Sequence, residues 1–227
     1  MATSGLLSFA QVAQINNEYG DLINPIIPLK FFPNLEKEML SYIVELNKRY
    51  GFRRFVITGP SKEHRYTGFP EKQVFIELGE QILQIKKQLA EYDIEIGWWC
   101  TTTIRIGKGD FQSIVRIDGS QAQEACCPLD YDYRETFSDY VAAVVQIAQP
   151  FWINFEDDFH MNNGCYCPRH LEEFALREKQ YYSREELQTI FPAKTSESYR
   201  LRHAWGELSR DSLALLAASV REVGVSF

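Results

Sequence analysis

Four short apolar segments, each followed by a polar loop and then by an amphipathic stretch, recur along this sequence. The short segments have the length and the β-branched and aromatic content of strands, whereas the stretches between them repeat apolar residues at helical spacing. Strands that alternate with helices in this way pair in parallel, because the chain crosses back over the sheet between one strand and the next. The predicted strands are residues 26–32, 54–58, 94–100 and 151–155.

Helices are predicted between these strands and throughout the C-terminal part of the chain. The first ends at Gly51, the second carries its apolar face over residues 75–89, and the third spans residues 133–149. The segment between strand three and the third helix is predicted as a long polar loop. Beyond residue 168 two helices are predicted, with a break at Pro192.

Parallel strands of this kind close either into a barrel or into an open, doubly wound sheet. No glycine-rich phosphate fingerprint follows the first or second strand, which disfavours a dinucleotide-binding fold. Polar residues instead accumulate just after each strand, where barrel enzymes build their sites. We therefore predict an α/β fold of the (β/α)₈ TIM-barrel type with only the first four βα units present, a half barrel that occupies residues 1–227 as a single partial domain.

Composition limits the partners and the location of the chain. A net charge of −7 disfavours nucleic acid, because phosphate binding needs clustered Lys and Arg. No charged-then-apolar leader and no apolar run of about 20 residues is present, so neither secretion nor a membrane partner is predicted. The five cysteines are odd in number and closely grouped, unlike a secreted disulfide framework. We expect a cytoplasmic protein, in which a Cys/His cluster more often holds a metal.

One such cluster follows the fourth strand. Cys165, Cys167 and His170 lie close enough in sequence to converge on one tetrahedral ion, and the loop after strand three supplies a fourth ligand from Cys126 or Cys127. Zinc accepts Cys₃His sites, and four protein ligands make such a site structural. The alternative is a set of reduced cysteines without a ligand. Elsewhere, Cys100 is expected to be a buried strand cysteine.

Three consecutive carboxylates lie at the end of the fourth strand. Glu156, Asp157 and Asp158 repel one another unless something uses them, and Asn154 and His160 flank them. A pair of carboxylates is what cleavage of a glycosidic bond requires. Chelation of a catalytic metal, with His160 as a further ligand, is the second use of such a cluster, and a solvated acidic loop is the third.

Several aromatic side chains lie on or beside the predicted strand ends. Trp98, Trp99, Trp152 and Phe159 can stack on the apolar faces of sugar rings, although packing in the core is an equally good explanation for each of them. In the loop after strand two, Arg65 can orient hydroxyl or carboxylate groups. We take Trp98, Trp99, Arg65 and Asn154 as candidate substrate-binding residues.

These motifs resemble glycoside hydrolase family 42, the barrel β-galactosidases, and uncharacterised relatives of that group. Cys127-Pro128 with Tyr133-Arg134 is similar to the family's Cys-Pro…Tyr-Arg stretch after strand three. Residues 152–159, followed by Cys165-Tyr166-Cys167, are similar to its Trp…Asp-Asn-Glu-Tyr…Cys-Tyr-Cys stretch around strand four. The resemblance covers roughly residues 95–210.

The resemblance implies a zinc site and a catalytic role. Cys127, Cys165 and Cys167 match the family's zinc ligands, and His170 stands in place of its fourth cysteine. Glu156, Asp157 and Asp158 align with the Asp-Asn-Glu part of the family's strand-four motif. Asp158 stands where the family has its general acid/base glutamate, and Asp157 where it has a sugar-binding asparagine. Glu156 aligns with the family's aspartate and is the other candidate acid.

The family's nucleophile comes from strand seven, which this sequence lacks. We therefore expect the chain by itself not to hydrolyse glycosides, and to be either a fragment of a longer enzyme or one of two chains that complete a barrel. The unpaired edges of strands one and four predict a homo-oligomer or poor solubility. Three functions stay open: a glycoside-hydrolase-like protein with a carbohydrate substrate, a metal-dependent barrel hydrolase or lyase, and a non-catalytic carbohydrate-binding barrel.

Overall fold

A parallel sheet and the helices that connect its strands make up most of the structure, a computed structural model that describes residues 24–30, 32–155, 159–161 and 164–224. The elements are β1 (Ile26–Lys30), α1 (Glu36–Tyr50), β2 (Arg54–Gly59), α2 (His64–Thr67), α3 (Lys72–Gln88), β3 (Glu95–Cys100), β4 (Ser113–Val115), β5 (Gln121–Cys126), α4 (Tyr131–Ala148), β6 (Ile153–Phe155), α5 (Pro168–Glu178), α6 (Arg184–Ile190) and α7 (Ser196–Gly224). A short 3₁₀ turn, Pro33–Leu35, precedes α1.

The main sheet has the order β1-β2-β3-β6, and every neighbouring pair of its strands is parallel. The mixed α/β class, the parallel sheet and the approximate positions of its four strands are confirmed. The first helix also ends where predicted, because Gly51 adopts the left-handed conformation that closes many helices.

One face of the sheet packs against α3 and α4. Successive side chains of a strand point to opposite faces, and the alternate residues Phe55, Ile57, Ile96 and Trp98 share one buried cluster with residues of both helices. The ring of Trp98 meets that of Phe75 edge-on, with centroids 6.3 Å apart. Burial of these apolar faces is the main source of stability in the fold.

The opposite face carries a polar and aromatic row near the carboxyl ends of the strands. Lys30, Thr58, Trp99 and Asn154 lie side by side, because backbone pairing places each directly opposite the next. All four are half-buried or exposed. We call this set the register row.

The predicted polar loop between β3 and α4 is wrong, because the chain there forms an antiparallel hairpin of β4 and β5. The strands were missed because β4 has only three residues and β5 has no β-branched or aromatic residue. A turn signal was nevertheless present. Asp118 accepts a hydrogen bond from the backbone of Ser120 at 2.8 Å, and Gly119 has a positive φ.

The C-terminal region forms three helices in place of the two predicted. The first break follows α5, where Lys179 adopts a left-handed conformation, and Ser183 then begins α6 through a reciprocal capping box with Glu186. The second break lies near Pro192, as predicted. None of the described helices combines the length and the apolar character that crossing a bilayer needs.

Candidate metal centre and neighbouring cleft

Four fully buried side chains converge beside the hairpin. Cys127 directly follows β5, Cys165 and Cys167 lie in the loop after β6, and His170 lies in the first turn of α5. Their ligand atoms all lie within 4.8 Å of one another. This buried Cys₃His group can hold a metal ion.

The distances within the group match tetrahedral coordination. Cys127 Sγ lies 3.6 Å from Cys167 Sγ, and each of these sulfurs lies 3.4 Å from His170 Nδ1. A zinc ion with Zn–S bonds of about 2.3 Å and a Zn–N bond of about 2.0–2.1 Å would separate two sulfurs by about 3.8 Å, and a sulfur from the nitrogen by about 3.6 Å. The sulfurs are also far outside the S–S bond length of about 2.05 Å, so the cysteines are thiols.

The hairpin holds two of the segments that supply these ligands. The backbone N–H of Cys127 donates to the carbonyl of Gln112 at 2.7 Å, and the N–H of Tyr166 donates to the carbonyl of Val115 at 2.7 Å. Pro168 is the first residue of α5, where its fixed φ suits a helix start. The ligands are therefore positioned by backbone contacts that do not depend on a metal.

A hydroxyl from the last helix sets the tautomer of the histidine. Ser212 Oγ donates its single proton to the carbonyl of Leu208 at 2.7 Å, so it can only accept from His170 Nε2, which lies 3.1 Å away. His170 Nε2 therefore donates to Ser212 Oγ, and the ring is oriented with Nδ1 toward the sulfurs, from where it could bind a metal ion. Orientation of a histidine ligand through its other nitrogen is the usual arrangement in metal sites.

The three thiols perturb one another strongly. Hydrogen bonds from Cys127 and Cys165 lower the pKa of Cys167 well below its usual range. Hydrogen bonds to Cys165 and Cys167, together with burial, raise the pKa of Cys127. The bond with Cys127 lowers the pKa of Cys165, but its bond with Cys167 and burial outweigh this and raise that pKa to about 12. Of the three sulfurs, that of Cys167 is therefore the one at which the thiolate form is favoured, whereas Cys127 and Cys165 favour the thiol form.

The remaining cysteines lie outside this group. Cys126 Sγ donates to the carbonyl of Gly107 at 3.2 Å, and burial raises its pKa. Of the two adjacent cysteines that the sequence offered as a ligand, it is thus Cys127 that joins the group. Cys100 is buried in β3, as expected, and donates to the carbonyl of Thr102.

The candidate catalytic residues Asp158 and Glu156, and the candidate sugar contact Asp157, lie outside the described residues. Asn154, in β6, belongs to the register row. His160 lies shortly after this strand, beside a small cavity of about 310 Å³ that it shares with residues of the hairpin.

The two neighbouring tryptophans have different environments. Trp98 has no exposed surface, and its Nε1 donates to the carbonyl of Gly59 at 2.9 Å. The prediction that Trp98 contacts a substrate is therefore wrong, since its side chain belongs to the core between the sheet and α3. Trp99 points to the opposite face and lines a cleft of about 770 Å³.

This cleft lies at the carboxyl ends of β1, β2 and β3. Lys30, Thr58, Trp99, Thr101 and His64 contribute to its wall. Backbone pairing therefore brings three members of the register row to one concave surface. Such a surface, with an aromatic ring beside a few polar groups, has the general character of a ligand site.

A second cavity, of about 610 Å³, lies on the other side of the loop after β2. Arg65 lines it together with Arg105 and Lys108, and Arg65 Nε donates to the carbonyl of Arg105 at 3.1 Å. Sequence analysis missed Arg105 and Lys108, because they lie some 40 residues from Arg65 and only the loop geometry brings them together. The available signal for this cavity was the presence of two cationic residues in the loop after β3.

Comparisons of this chain with protein-family models, with curated proteins and with solved structures gave no match. The chemistry of the cleft and of the Cys₃His group is therefore the basis on which a function is inferred.

Proposed function

We propose that this chain forms the first four βα units of a (β/α)₈-type barrel of the glycoside hydrolase family 42 kind and binds carbohydrate at the carboxyl ends of its strands. The observation that carries the proposal is the cleft at these strand ends, with Trp99 in its wall. Sites in barrel enzymes lie at this end of the strands.

The strand order supports the part of the proposal that concerns the barrel fold. The four parallel strands follow one another across the sheet in the order in which they occur along the chain. Doubly wound sheets reverse their order at the point where they bind ligands, whereas successive barrel strands do not. The helices α3 and α4 cover one face, and the register row lies on the face that would line a barrel.

The side chains of the cleft suit a sugar. The face of an indole packs on the C–H groups of a pyranose ring, and its width allows a large apolar contact. Thr58 carries a hydroxyl group that can both donate and accept, Thr101 Oγ1 donates to the carbonyl of Pro60 and can still accept, and Lys30 donates. These are the groups that recognise ring hydroxyls.

The acidic residues after β6 complete the proposal. Asn154 lies opposite Trp99 in the register row, and because β6 is parallel to β3, the carboxyl ends of the two strands lie at the same end of the sheet. We assign Asp158 or Glu156 the role of general acid and Asp157 that of a sugar contact.

Zinc is the metal that we propose for the Cys₃His group. Three sulfurs and one imidazole nitrogen at these separations suit its tetrahedral preference, and four protein ligands leave no position for a substrate. Zinc would join the hairpin, the loop after β6 and α5, and its role would be structural.

The carbohydrate proposal is tested by replacing Trp99. We expect the wild-type chain to bind at least one sugar from a panel of galactose, glucose, lactose and cellobiose in isothermal titration calorimetry. The variant Trp99→Ala should lose about tenfold or more in affinity, because stacking by an aromatic ring contributes about 1.5 kcal/mol beyond simple burial.

The matched control is Tyr181→Ala. Tyr181 is an exposed aromatic residue that does not line the cleft, so its replacement should leave sugar binding unchanged. Equal affinities for the Trp99→Ala variant and the wild type, or no binding of any of the four sugars, would contradict the proposal.

A further inference from the structure

The cavity beside Arg65 is formed by two loops that leave neighbouring strands. Residues 65–68 follow β2, and Arg105, Lys108 and Gly109 follow β3, while Gln123 and Glu124 of β5 close one side. We refer to this cavity as the cationic pocket. It lies at the same end of the sheet as the cleft, and the loop after β2 separates the two, since His64 lines the cleft and Arg65 lines the pocket.

Backbone contacts hold the two loops together. Gly107 has a φ of 93°, and a Cβ atom there would lie 2.5 Å from both the carbonyl oxygen of His64 and the carbonyl carbon of Gly68. The N–H groups of Gly107 and Lys108 donate to backbone carbonyls of β5, at 3.0 and 2.8 Å. The cationic pocket therefore has a fixed wall of main chain.

Positive charge predominates in this pocket. Arg65, Arg105 and Lys108 line it, and the one carboxylate among the described residues of its wall, that of Glu124, already accepts a hydrogen bond from Arg116 at 2.9 Å. Among the residues that the structure describes, the side chains of Arg105 and Lys108 make no ion pair. Half-buried like charges repel one another, and this concentration occurs on a chain whose net charge is −7.

We propose that the cationic pocket binds the anionic group of an acidic carbohydrate, a carboxylate, phosphate or sulfate. Guanidinium groups match the oxygens of such groups with paired hydrogen bonds, and a lysine adds a mobile positive charge. The inference rests on the proposed function, because the class of ligand, a carbohydrate, is taken from the cleft that Trp99 lines on the other side of the loop after β2. An anion bound there would lower the repulsion between Arg105 and Lys108.

Calorimetry with four probes tests this inference: glucuronate, glucose 6-phosphate, glucose and inorganic phosphate. We expect the two acidic sugars to bind more tightly than glucose, and the variants Arg105→Gln and Lys108→Gln each to weaken them by about tenfold or more. The matched control is Arg210→Gln on α7, which changes the net charge by the same amount at an exposed position outside the pocket. The control should bind like the wild type.

The outcomes are distinct. If neither acidic sugar nor phosphate binds, or if both pocket variants bind them like the wild type, the inference is overturned. Loss of phosphate binding in the variants, without any preference for acidic sugars over glucose, overturns the assignment to a carbohydrate. Acidic sugars that bind through Arg105 and Lys108, together with neutral sugars that bind to the Trp99→Ala variant as they do to the wild type, support the pocket and contradict the proposed cleft. If Arg105→Gln does not fold, as judged by circular dichroism, Lys108→Gln decides the test.

Discussion

The hydroxyl of Ser212 determines which nitrogen of His170 faces the three sulfurs, although the two residues are 42 positions apart. Nothing in the sequence around Ser212 marks it as part of a metal site, because a serine within a helix is ordinary. The ligands themselves were easier to predict, since three of them lie within six residues. Ser212 can be identified as a supporting residue only once the packing of α7 against the Cys₃His group is known.

Replacing Ser212 tests this support. The variant Ser212→Ala removes the acceptor for His170 Nε2, so we expect zinc affinity to fall about 10- to 100-fold. Competition with a chromogenic chelator measures the change. Ser219→Ala is the control, because Ser219 also donates to the carbonyl four residues earlier in α7, but is half-buried and lies outside the Cys₃His group. An affinity equal to that of the wild type in Ser212→Ala would exclude the supporting role.

Binding of zinc should release protons at neutral pH. The pKa of Cys127 is raised and that of Cys165 is raised to about 12, so both are protonated at pH 7, whereas Cys167 is already a thiolate. A metal ligand has to be deprotonated. We expect about two protons per zinc in a pH-stat titration of the metal-free protein, and an affinity that falls as the pH is lowered. Release of no protons would mean that the thiols are not the ligands.

The two tryptophans illustrate a limit of sequence analysis at the residue scale. Trp98 and Trp99 are adjacent, and both faces of a parallel strand are apolar enough to accept either of them. Only the packing of α3 shows that Trp98 faces the core. For the same reason the sequence left Cys126 and Cys127 as alternatives.

At the scale of elements, the helices and strands that were predicted correctly are those with a clear pattern of apolar residues. The parallel strands were recognised because they are apolar, and their helices because the apolar spacing is regular. The hairpin of β4 and β5 was missed, since β4 is too short to show an alternating pattern and β5 lacks β-branched and aromatic residues. That hairpin nevertheless holds two of the segments that carry metal ligands.

The contact between the loops after β2 and β3 depends on one glycine. In Gly107→Ala, a side chain at a positive φ would strain the backbone and its Cβ would collide with the other loop, so we expect a loss of about 2 kcal/mol in the free energy of unfolding. Urea denaturation measures this.

Gly206 supplies the comparison for this variant. It lies within α7 with open space where a Cβ would be, so Gly206→Ala should stabilise the protein by about 0.5–1 kcal/mol. A Gly107→Ala variant as stable as the wild type would show that the two loops do not need their close contact.

At the scale of the whole molecule, the sheet has open edges. In the described part of the chain β1 pairs only with β2, and β6 only with β3. Unpaired N–H and C=O groups along such edges attract other strands. We therefore expect this chain to self-associate, with a weight-average mass in sedimentation velocity that rises with protein concentration. A single monomeric species over a hundredfold range of concentration would disagree with this expectation and with the half-barrel arrangement.

The register row has a consequence for how such a protein can change over evolutionary time. Lys30, Thr58, Trp99 and Asn154 are neighbours because of main-chain pairing, and no loop conformation is involved. Insertions or deletions in the connecting loops would leave this array of side chains intact, so the loops are free to diversify. A shift of β1 by a single residue would instead present Leu29 in place of Lys30 and so change which molecules the surface accepts.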